Sequence, residues 1–385
     1  MTFSALADEL AEWNARGLKR ERRLLESPQS AHVTVDGRRY VAFCSNDYLG
    51  LANDPRLIAA AQAGLARYGV GAGASHLVLG HAEPHARLER ALADLTGLPR
   101  ALLFSTGFMA NIGAITALAG RSDAIFADRL NHASLNDACL LSRARFIRYP
   151  HRDVRALEER LATTRARRRL IVTDGVFSMD GDIAPLAALV ALAERYDAWL
   201  YVDDAHGFGV IGDEGRGVLS DARISSNRLI YMATLGKAAG VFGAFVAGEA
   251  ALIELLMHKA HTYVYTTAAP PLLAAATLKS LEVMQSDRWR RERLYELIRM
   301  LQAGPLPARW RLMPSHTAIQ PLLIGDNGEA VSVAARLAER GLLVPAIRPP
   351  TVPHGSARLR ISLSAAHAPR DVAMLIDALN DIASQ

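Results

Sequence analysis

Ala198-Trp199-Leu200-Tyr201-Val202-Asp203-Asp204-Ala205-His206-Gly207 joins an apolar run of strand length to three ionisable side chains. A run of that kind reads as a buried strand. Acids at its end are costly to bury unless a positive group meets them. Working outward, the same texture recurs along much of the chain. Candidate strands are Ala101–Phe104, Asp123–Ala127, Arg145–Tyr149, Arg169–Thr173, Ala198–Asp203, Arg228–Ala233 and Val241–Ala247. Helical patterns lie between many of them, for example Asp153–Ala162 and Pro185–Tyr196, with Pro185 near a helix start. This alternation predicts an α/β fold built on a mostly parallel sheet. In such sheets ligands lie beyond the carboxyl ends of the strands, so the loops there are the place to look for chemistry.

The rest of the chain divides around that block. Residues 1–45 read as a basic helical arm followed by a short hairpin at Asp36-Gly37, and 46–270 as a large domain. Residues 271–385 read as a smaller C-terminal α+β domain: one long helical stretch from the Pro270-Pro271 break through Leu301, then strands and helices from Thr317. Apolar residues are 50% of the 385 and charged residues 22%, which excludes a disordered or collagen-like chain. Lys plus Arg is 44 against 39 for Asp plus Glu, a net +5 that permits a polyanionic small molecule without calling for nucleic acid. Ala101–Gly120 is free of charge over 20 positions, but Ser105, Thr106, Gly107, Asn111, Gly113 and Thr116 make it a strand, turn and helix rather than a membrane span. Asp8, Glu9 and Glu12 stand where an export signal needs an apolar core. With Cys44 and Cys139 as the two cysteines, the expectation is a cytoplasmic protein without disulfides.

Four segments carry possible chemistry. Asp203, Asp204 and His206 sit at one predicted strand end. Thr234-Leu235-Gly236-Lys237-Ala238-Ala239-Gly240 follows the next, and a lysine among small apolar residues loses solvation when charged, which frees its amine as a nucleophile toward carbonyls. Phe104-Ser105-Thr106-Gly107-Phe108-Met109-Ala110-Asn111 reads as strand, turn and helix start, a site whose free N–H groups suit a phosphate. Asp128-Arg129-Leu130-Asn131-His132-Ala133-Ser134 places a flat ring after another strand. Taken singly, each has a plain structural reading: a capping acid, a solvated lysine, an ordinary turn, a core histidine. Gly207-Phe208-Gly209-Val210-Ile211-Gly212 matches a dinucleotide fingerprint, but Asp213-Glu214-Gly215-Arg216-Gly217 follows where a helix should begin. Gly236-Lys237 lacks the other residues of a P-loop. His81 and His85 have helical spacing, yet Pro84 intervenes and no third ligand is evident, so no metal is expected.

Together the four segments meet the needs of pyridoxal 5′-phosphate: a carboxylate for the pyridine nitrogen, a lysine for the aldehyde, N–H and hydroxyl donors for the phosphate, and a face for the ring. The sequence also resembles the α-oxoamine synthases, which are fold type I pyridoxal-phosphate enzymes, over nearly its whole length. The matching stretches are Ser45-Asn46-Asp47-Tyr48-Leu49-Gly50, Thr173-Asp174-Gly175-Val176-Phe177-Ser178-Met179-Asp180-Gly181-Asp182, Val202-Asp203-Asp204-Ala205-His206-Gly207 and Thr234-Leu235-Gly236-Lys237. Ile347-Arg348-Pro349-Pro350-Thr351-Val352-Pro353, followed by Ala357-Arg358-Leu359-Arg360, is most similar to the member that acts on alanine and a pimeloyl thioester.

The resemblance implies a mostly parallel central sheet with helices on both faces, and a decarboxylative condensation of L-alanine with a pimeloyl thioester of CoA or a carrier protein. It implies that Lys237 joins the cofactor, Asp203 pairs with its pyridine nitrogen, and His132 stacks on the ring and helps deliver a proton. Ser178 and His206 would contact the ring or its phenolic oxygen, and Gly107, Phe108 and Thr234 the phosphate. Thr266 and Thr267 would reach the phosphate of a second subunit, making the enzyme a homodimer. Arg360 with Asn46 would bind the amino-acid carboxylate, and Arg20 and Thr351 the acyl substrate. Two positions depart from the pattern: Asp174 stands where Glu is common, and Leu79 where Ser is frequent. The basic run Arg16, Lys19, Arg20, Arg22 and Arg23 suits CoA phosphates or an acidic carrier, or else a solvated helix face. Competing expectations are a relative that uses glycine or serine with another acyl-CoA, and a non-catalytic CoA- or nucleic-acid-binding protein on the same fold.

Overall fold

The computed structural model describes residues 3–15, 19 and 22–385. From the N-terminus come α1 (Ser4–Ala15), β1 (His32–Val35), β2 (Arg38–Ala42), α2 (Pro55–Tyr68) and α3 (Glu83–Thr96). Strand and helix then alternate: β3 (Arg100–Phe104), α4 (Gly107–Leu118), β4 (Ala124–Asp128), α5 (Ala133–Leu141), β5 (Arg145–Tyr149), α6 (Val154–Thr163), β6 (Arg169–Asp174), α7 (Leu186–Arg195) and β7 (Ala198–Asp203). Strands β8 (Leu229–Thr234) and β9 (Ala244–Gly248) complete the large sheet.

The seven strands lie in the order β3-β9-β8-β7-β6-β4-β5, and β9 alone runs against the others. Successive side chains point to opposite faces of a strand. Ile171, Leu200, Val202, Tyr231 and Phe245 therefore enter one core, and Leu170, Val172, Tyr201, Ile230, Met232 and Val246 the other. A sheet buried on both faces needs apolar residues at every position, which is why its strands read as unbroken hydrophobic runs. The expected strand over 241–247 begins only at Ala244. Val241, Phe242 and Gly243 belong to a turn in which Leu235 N–H donates to Gly243 O and Val241 N–H to Leu235 O.

The predicted hairpin is present, with Asp36 and Gly37 at φ 47° and 75°, as a two-residue hairpin turn requires. The helix before it is not basic. Ser4–Ala15 carries Asp8, Glu9 and Glu12 and no lysine or arginine, and the basic run comes after it. The expected long helix from 271 is two helices, Pro271–Ser286 and Arg288–Ala303, broken at Asp287. Asp287 accepts hydrogen bonds from the guanidinium groups of Arg56 and Arg290, which fix the break. Pro271–Ser286 packs on α2 and α3, and Arg288–Ala303 on the last helix, Pro369–Ala383.

A second, antiparallel sheet of Arg311–Leu312, Ile319–Gly325, Ala357–Ser362 and Ala346–Ile347 forms the C-terminal α+β part. Leu342–Leu343 pairs in parallel with β2, tying the N-terminal hairpin to this part of the chain. Among the described residues no helix is long and apolar enough to cross a membrane.

Candidate active site

The carboxyl ends of β6, β7 and β8 and the N-terminus of α4 surround a cavity of about 210 Å³. Its lining includes Gly107, His132, Asp174, Asp203, His206 and Lys237. Each arrives by a local rule. Thr106 caps α4: its Oγ1 accepts the Met109 N–H at 3.1 Å, and the Gly107 and Phe108 N–H groups, first in the helix, have no acceptor within it. Lys237 sits in the turn between β8 and β9, where Gly240 N–H donates to Lys237 O. Gly240 has φ 69°, and a Cβ there would lie 2.6 Å from the backbone of Leu51 and Ala52, so the turn closes against that loop only with glycine.

Asp203 and Asp174 are paired neighbours on β7 and β6, and both are buried. Asp203 Oδ2 accepts from Asn111 Nδ2 at 2.8 Å and its Oδ1 from Ala205 N–H at 3.0 Å. Asp174 Oδ2 accepts the His132 N–H at 2.7 Å, while Asp174 N–H donates to Asn131 Oδ1 at 3.1 Å. Burial, with Asp203 alongside, holds Asp174 well above the usual carboxylate range. Burial also draws Lys237 down to about 8 against the opposing pull of Asp203 and Asp174. The His206 ring is held well below its ordinary value by burial and by the Lys237 charge beside it. His132 stands at the cavity mouth, and partial burial of its ring lowers it as well. Behind the cavity Asp204 is fully enclosed. Its Oδ2 accepts from Tyr231 Oη and Val218 N–H, and burial raises it to about 7.

Arg360 approaches from the second sheet, 6% exposed. Its Nε donates to Ser178 O at 2.6 Å, Nη1 to Ser362 Oγ at 2.9 Å and Nη2 to Asn46 Oδ1 at 3.3 Å. The loop carrying Ser178 is held by an ion pair between the buried Arg358 and Asp180. It is further held by His151, whose two ring nitrogens meet Asp128 at 3.0 Å and Asp182 at 2.9 Å.

Of the residues singled out from the sequence, Gly107, Phe108, His132, Asp203, His206, Thr234 and Lys237 line one cavity. Asn46 and Arg360 meet each other, and Asn46 reaches the same network through Tyr48, whose hydroxyl donates to its Oδ1. Ser178 meets Arg360 through its carbonyl and is not part of the cavity wall. Thr266 and Thr267 are likewise absent from that wall, Thr267 being exposed and bridged to Ser75. Thr351 is exposed on a turn, its N–H donating to Arg348 O. Arg20 and Arg16 lie outside the described residues.

Sequence reasoning missed the work of Asn111, Ser134 and Tyr201. It also missed a third imidazole beside His81 and His85. His76 comes from the single turn His76–Gly80, and its Nδ1 lies 2.9 Å from His81 Nδ1. His85 spends both nitrogens on the chain, accepting from Ala82 N–H and donating to Ala269 O.

The pattern of class I and II aminotransferases matches residues 38–379. A protein from Nitrosomonas eutropha named 8-amino-7-oxononanoate synthase is 62% identical over 381 residues, covering 98% of each chain. Among solved structures, a serine palmitoyltransferase from S. paucimobilis with a bound PLP–myriocin aldimine superimposes with a TM-score of 0.92 at 30% identity, over 99% of this chain and 97% of that one. An 8-amino-7-oxononanoate synthase from Francisella tularensis gives 0.77 at 32% identity, over 90% and 97%.

Proposed function

The chain belongs to the class I and II aminotransferase family, and we propose that it acts there as a pyridoxal-phosphate-dependent acyltransferase, condensing L-alanine with a pimeloyl thioester to give 8-amino-7-oxononanoate, carbon dioxide and the free thiol. One observation carries this reading. Lys237, Asp203 and the free N–H end of α4 converge on a single cavity beyond the strand ends. Their chemistry fits the cofactor part by part: an amine drawn down to about 8, a buried carboxylate, and a positive helix end.

When bound, pyridoxal phosphate supplies an aldehyde for amine exchange and a ring that withdraws electrons from the substrate carbon. The residues do the rest. Asp203 would hold a proton at the pyridine nitrogen, and the Gly107 and Phe108 N–H groups with Thr234 would hold the phosphate. His132 would stack against the cofactor and His206 would contact it, with Ser178, off the cavity wall, as a further contact. Arg360 and Asn46 bind the alanine carboxylate and orient the Cα–H bond. Lys237 Nζ, once free of the cofactor, takes the α-proton, and burial makes that transfer accessible near pH 8. The α-carbon then attacks the thioester carbon, the thiol departs, and His132 donates toward the oxygen that gains charge. Loss of the alanine carboxyl as carbon dioxide and reprotonation of the carbon complete the product.

In this reading the enzyme is a cytoplasmic homodimer. Thr266 and Thr267, outside their own cavity wall, reach the phosphate of a second copy. Val78, Leu79 and Tyr265 are large apolar side chains left 78%, 87% and 77% exposed, which supports such contact. Arg20 and Thr351 serve the acyl chain and its CoA or carrier-protein handle. The test is to supply L-alanine, glycine or L-serine with pimeloyl-CoA and follow CoA release and product mass. Condensation with alanine supports the reading, and a preference for glycine or serine refutes it.

A further inference from the structure

His132 is held from two directions. Its main chain is clamped to the end of β6: His132 N–H donates to Asp174 Oδ2, and the neighbouring Asn131 side chain donates to Val172 O at 2.8 Å while accepting from Asp174 N–H. Its ring is held by Ser134. The Ser134 backbone N–H donates to His132 Nδ1 at 3.3 Å, and Ser134 Oγ lies 2.7 Å from the same nitrogen.

Which way the hydroxyl hydrogen points follows from the buried groups behind it. Asn111, 1% exposed, places its Nδ2 between Asp203 Oδ2 and Ser134 Oγ, 2.8 Å from each, and its Oδ1 accepts from Tyr201 Oη at 2.9 Å. Turning the amide over would set its oxygen against the Asp203 carboxylate, which can only accept when ionised. The two Nδ2 hydrogens are therefore committed to Asp203 and Ser134. Ser134 Oγ, already accepting from Asn111, has its own hydrogen left for His132 Nδ1. The Ser134 backbone N–H can only donate and the hydroxyl has its hydrogen free, so both match a lone pair at Nδ1. Neutral imidazole carries one proton, which must then sit on Nε2. Among the described residues no hydrogen bond occupies that nitrogen, and the residue lines the cavity.

We propose that Tyr201, Asn111 and Ser134 form a relay, anchored on Asp203, that fixes neutral His132 as the Nε2–H tautomer. The ring then meets the reacting groups as a hydrogen-bond donor and not as a base. Tyr201, Asn111 and Ser134 are positioning residues, acting through Asp203 and His132. The use of the Nε2–H toward substrate rests on the function proposed above; the tautomer itself does not.

The experiment is nitrogen-15 NMR of histidine-labelled holoenzyme near pH 8, with His132 assigned by its loss in His132→Gln. The expected spectrum shows an unprotonated, pyridine-like Nδ1 and a protonated Nε2. Ser134→Ala should move both nitrogens toward an averaged shift, and Ser134→Thr, which keeps the hydroxyl, should restore the wild-type pattern. A proton on Nδ1 in the wild type, or a Ser134→Ala spectrum identical to it, overturns the relay. If the tautomer is as expected while alanine and pimeloyl-CoA give no product, the relay stands and the proposed reaction fails.

Discussion

Lys237 Nζ stands 2.9 Å from His206 Nε2, and behind that ring Tyr48 Oη lies 2.6 Å from His206 Nδ1. A neutral His206 that accepts from the lysine must carry its proton on Nδ1 and donate it to Tyr48. Tyr48 passes its own hydrogen to Asn46 Oδ1, which also receives Arg360. The amine is thus coupled by hydrogen bonds to the residues assigned to the substrate carboxylate.

Removing that amine tests its role. Lys237→Ala should fold normally, since an ammonium drawn below its ordinary range by burial does not favour the folded state. Turnover should fall by at least the 10²–10⁴-fold, on the order of magnitude, that a positioned proton-transfer group contributes. Steady-state kinetics beside a thermal melt checks both halves, and near-normal turnover contradicts the assignment.

Asp203→Asn keeps the shape at the end of β7 but removes the charge proposed to hold a proton on the cofactor ring. Exchange of the alanine α-hydrogen with deuterated water, measured without acyl donor, should slow by at least about tenfold, the factor that 1.4 kcal/mol of lost stabilisation represents. Unchanged exchange would show that another group does this work.

Much of this constellation was legible before the structure. Parallel strands bring their carboxyl ends to one side, so residues quoted from separate segments, Gly107, His132, Asp203 and Lys237, had to approach one another once the strands were placed. Asn111, Ser134 and Tyr201 were not legible as a unit. Their meeting depends on strand register and on the rotation of α4 and α5, which apolar spacing does not specify. Asp174 was visible as an unusual residue, but its hold on the His132 main chain arises from the β6–β4 pairing. The third imidazole was hidden for a similar reason: His76 belongs to one isolated turn and not to the helical spacing that joins His81 to His85. Thr266, Thr267 and Thr351 resemble family positions but lie off the cavity wall of the single chain, a separation that sequence alone does not reveal.

His151 gives a stability signature with a definite sign. Although burial opposes it, hydrogen bonds to Asp128 and Asp182 raise its ring from 6.5 to about 9. A folded-state value above the unfolded one gives stability that is fully present below 6.5 and lost as pH rises through about 9. The melting-temperature gap between wild type and His151→Gln should be widest near pH 6 and shrink across that interval. A gap that grows with pH would be incompatible with a charged His151.

Arg360 holds three protein acceptors, and its proposed further partner is the substrate carboxylate. Arg360→Lys cannot reproduce that fork. The apparent KM for alanine should rise by about tenfold or more, the change expected from losing roughly 1.5–3 kcal/mol of charge-assisted hydrogen bonding. The KM for pimeloyl-CoA should change little. An equal rise in both would argue that Arg360 supports the loop and not the amino acid.

The most direct measurement is borohydride reduction of the purified holoenzyme followed by peptide mass mapping. A pyridoxyl-phosphate adduct on Lys237 is the predicted result. An adduct on another lysine, or none on a protein that retains the cofactor, contradicts the account at its centre.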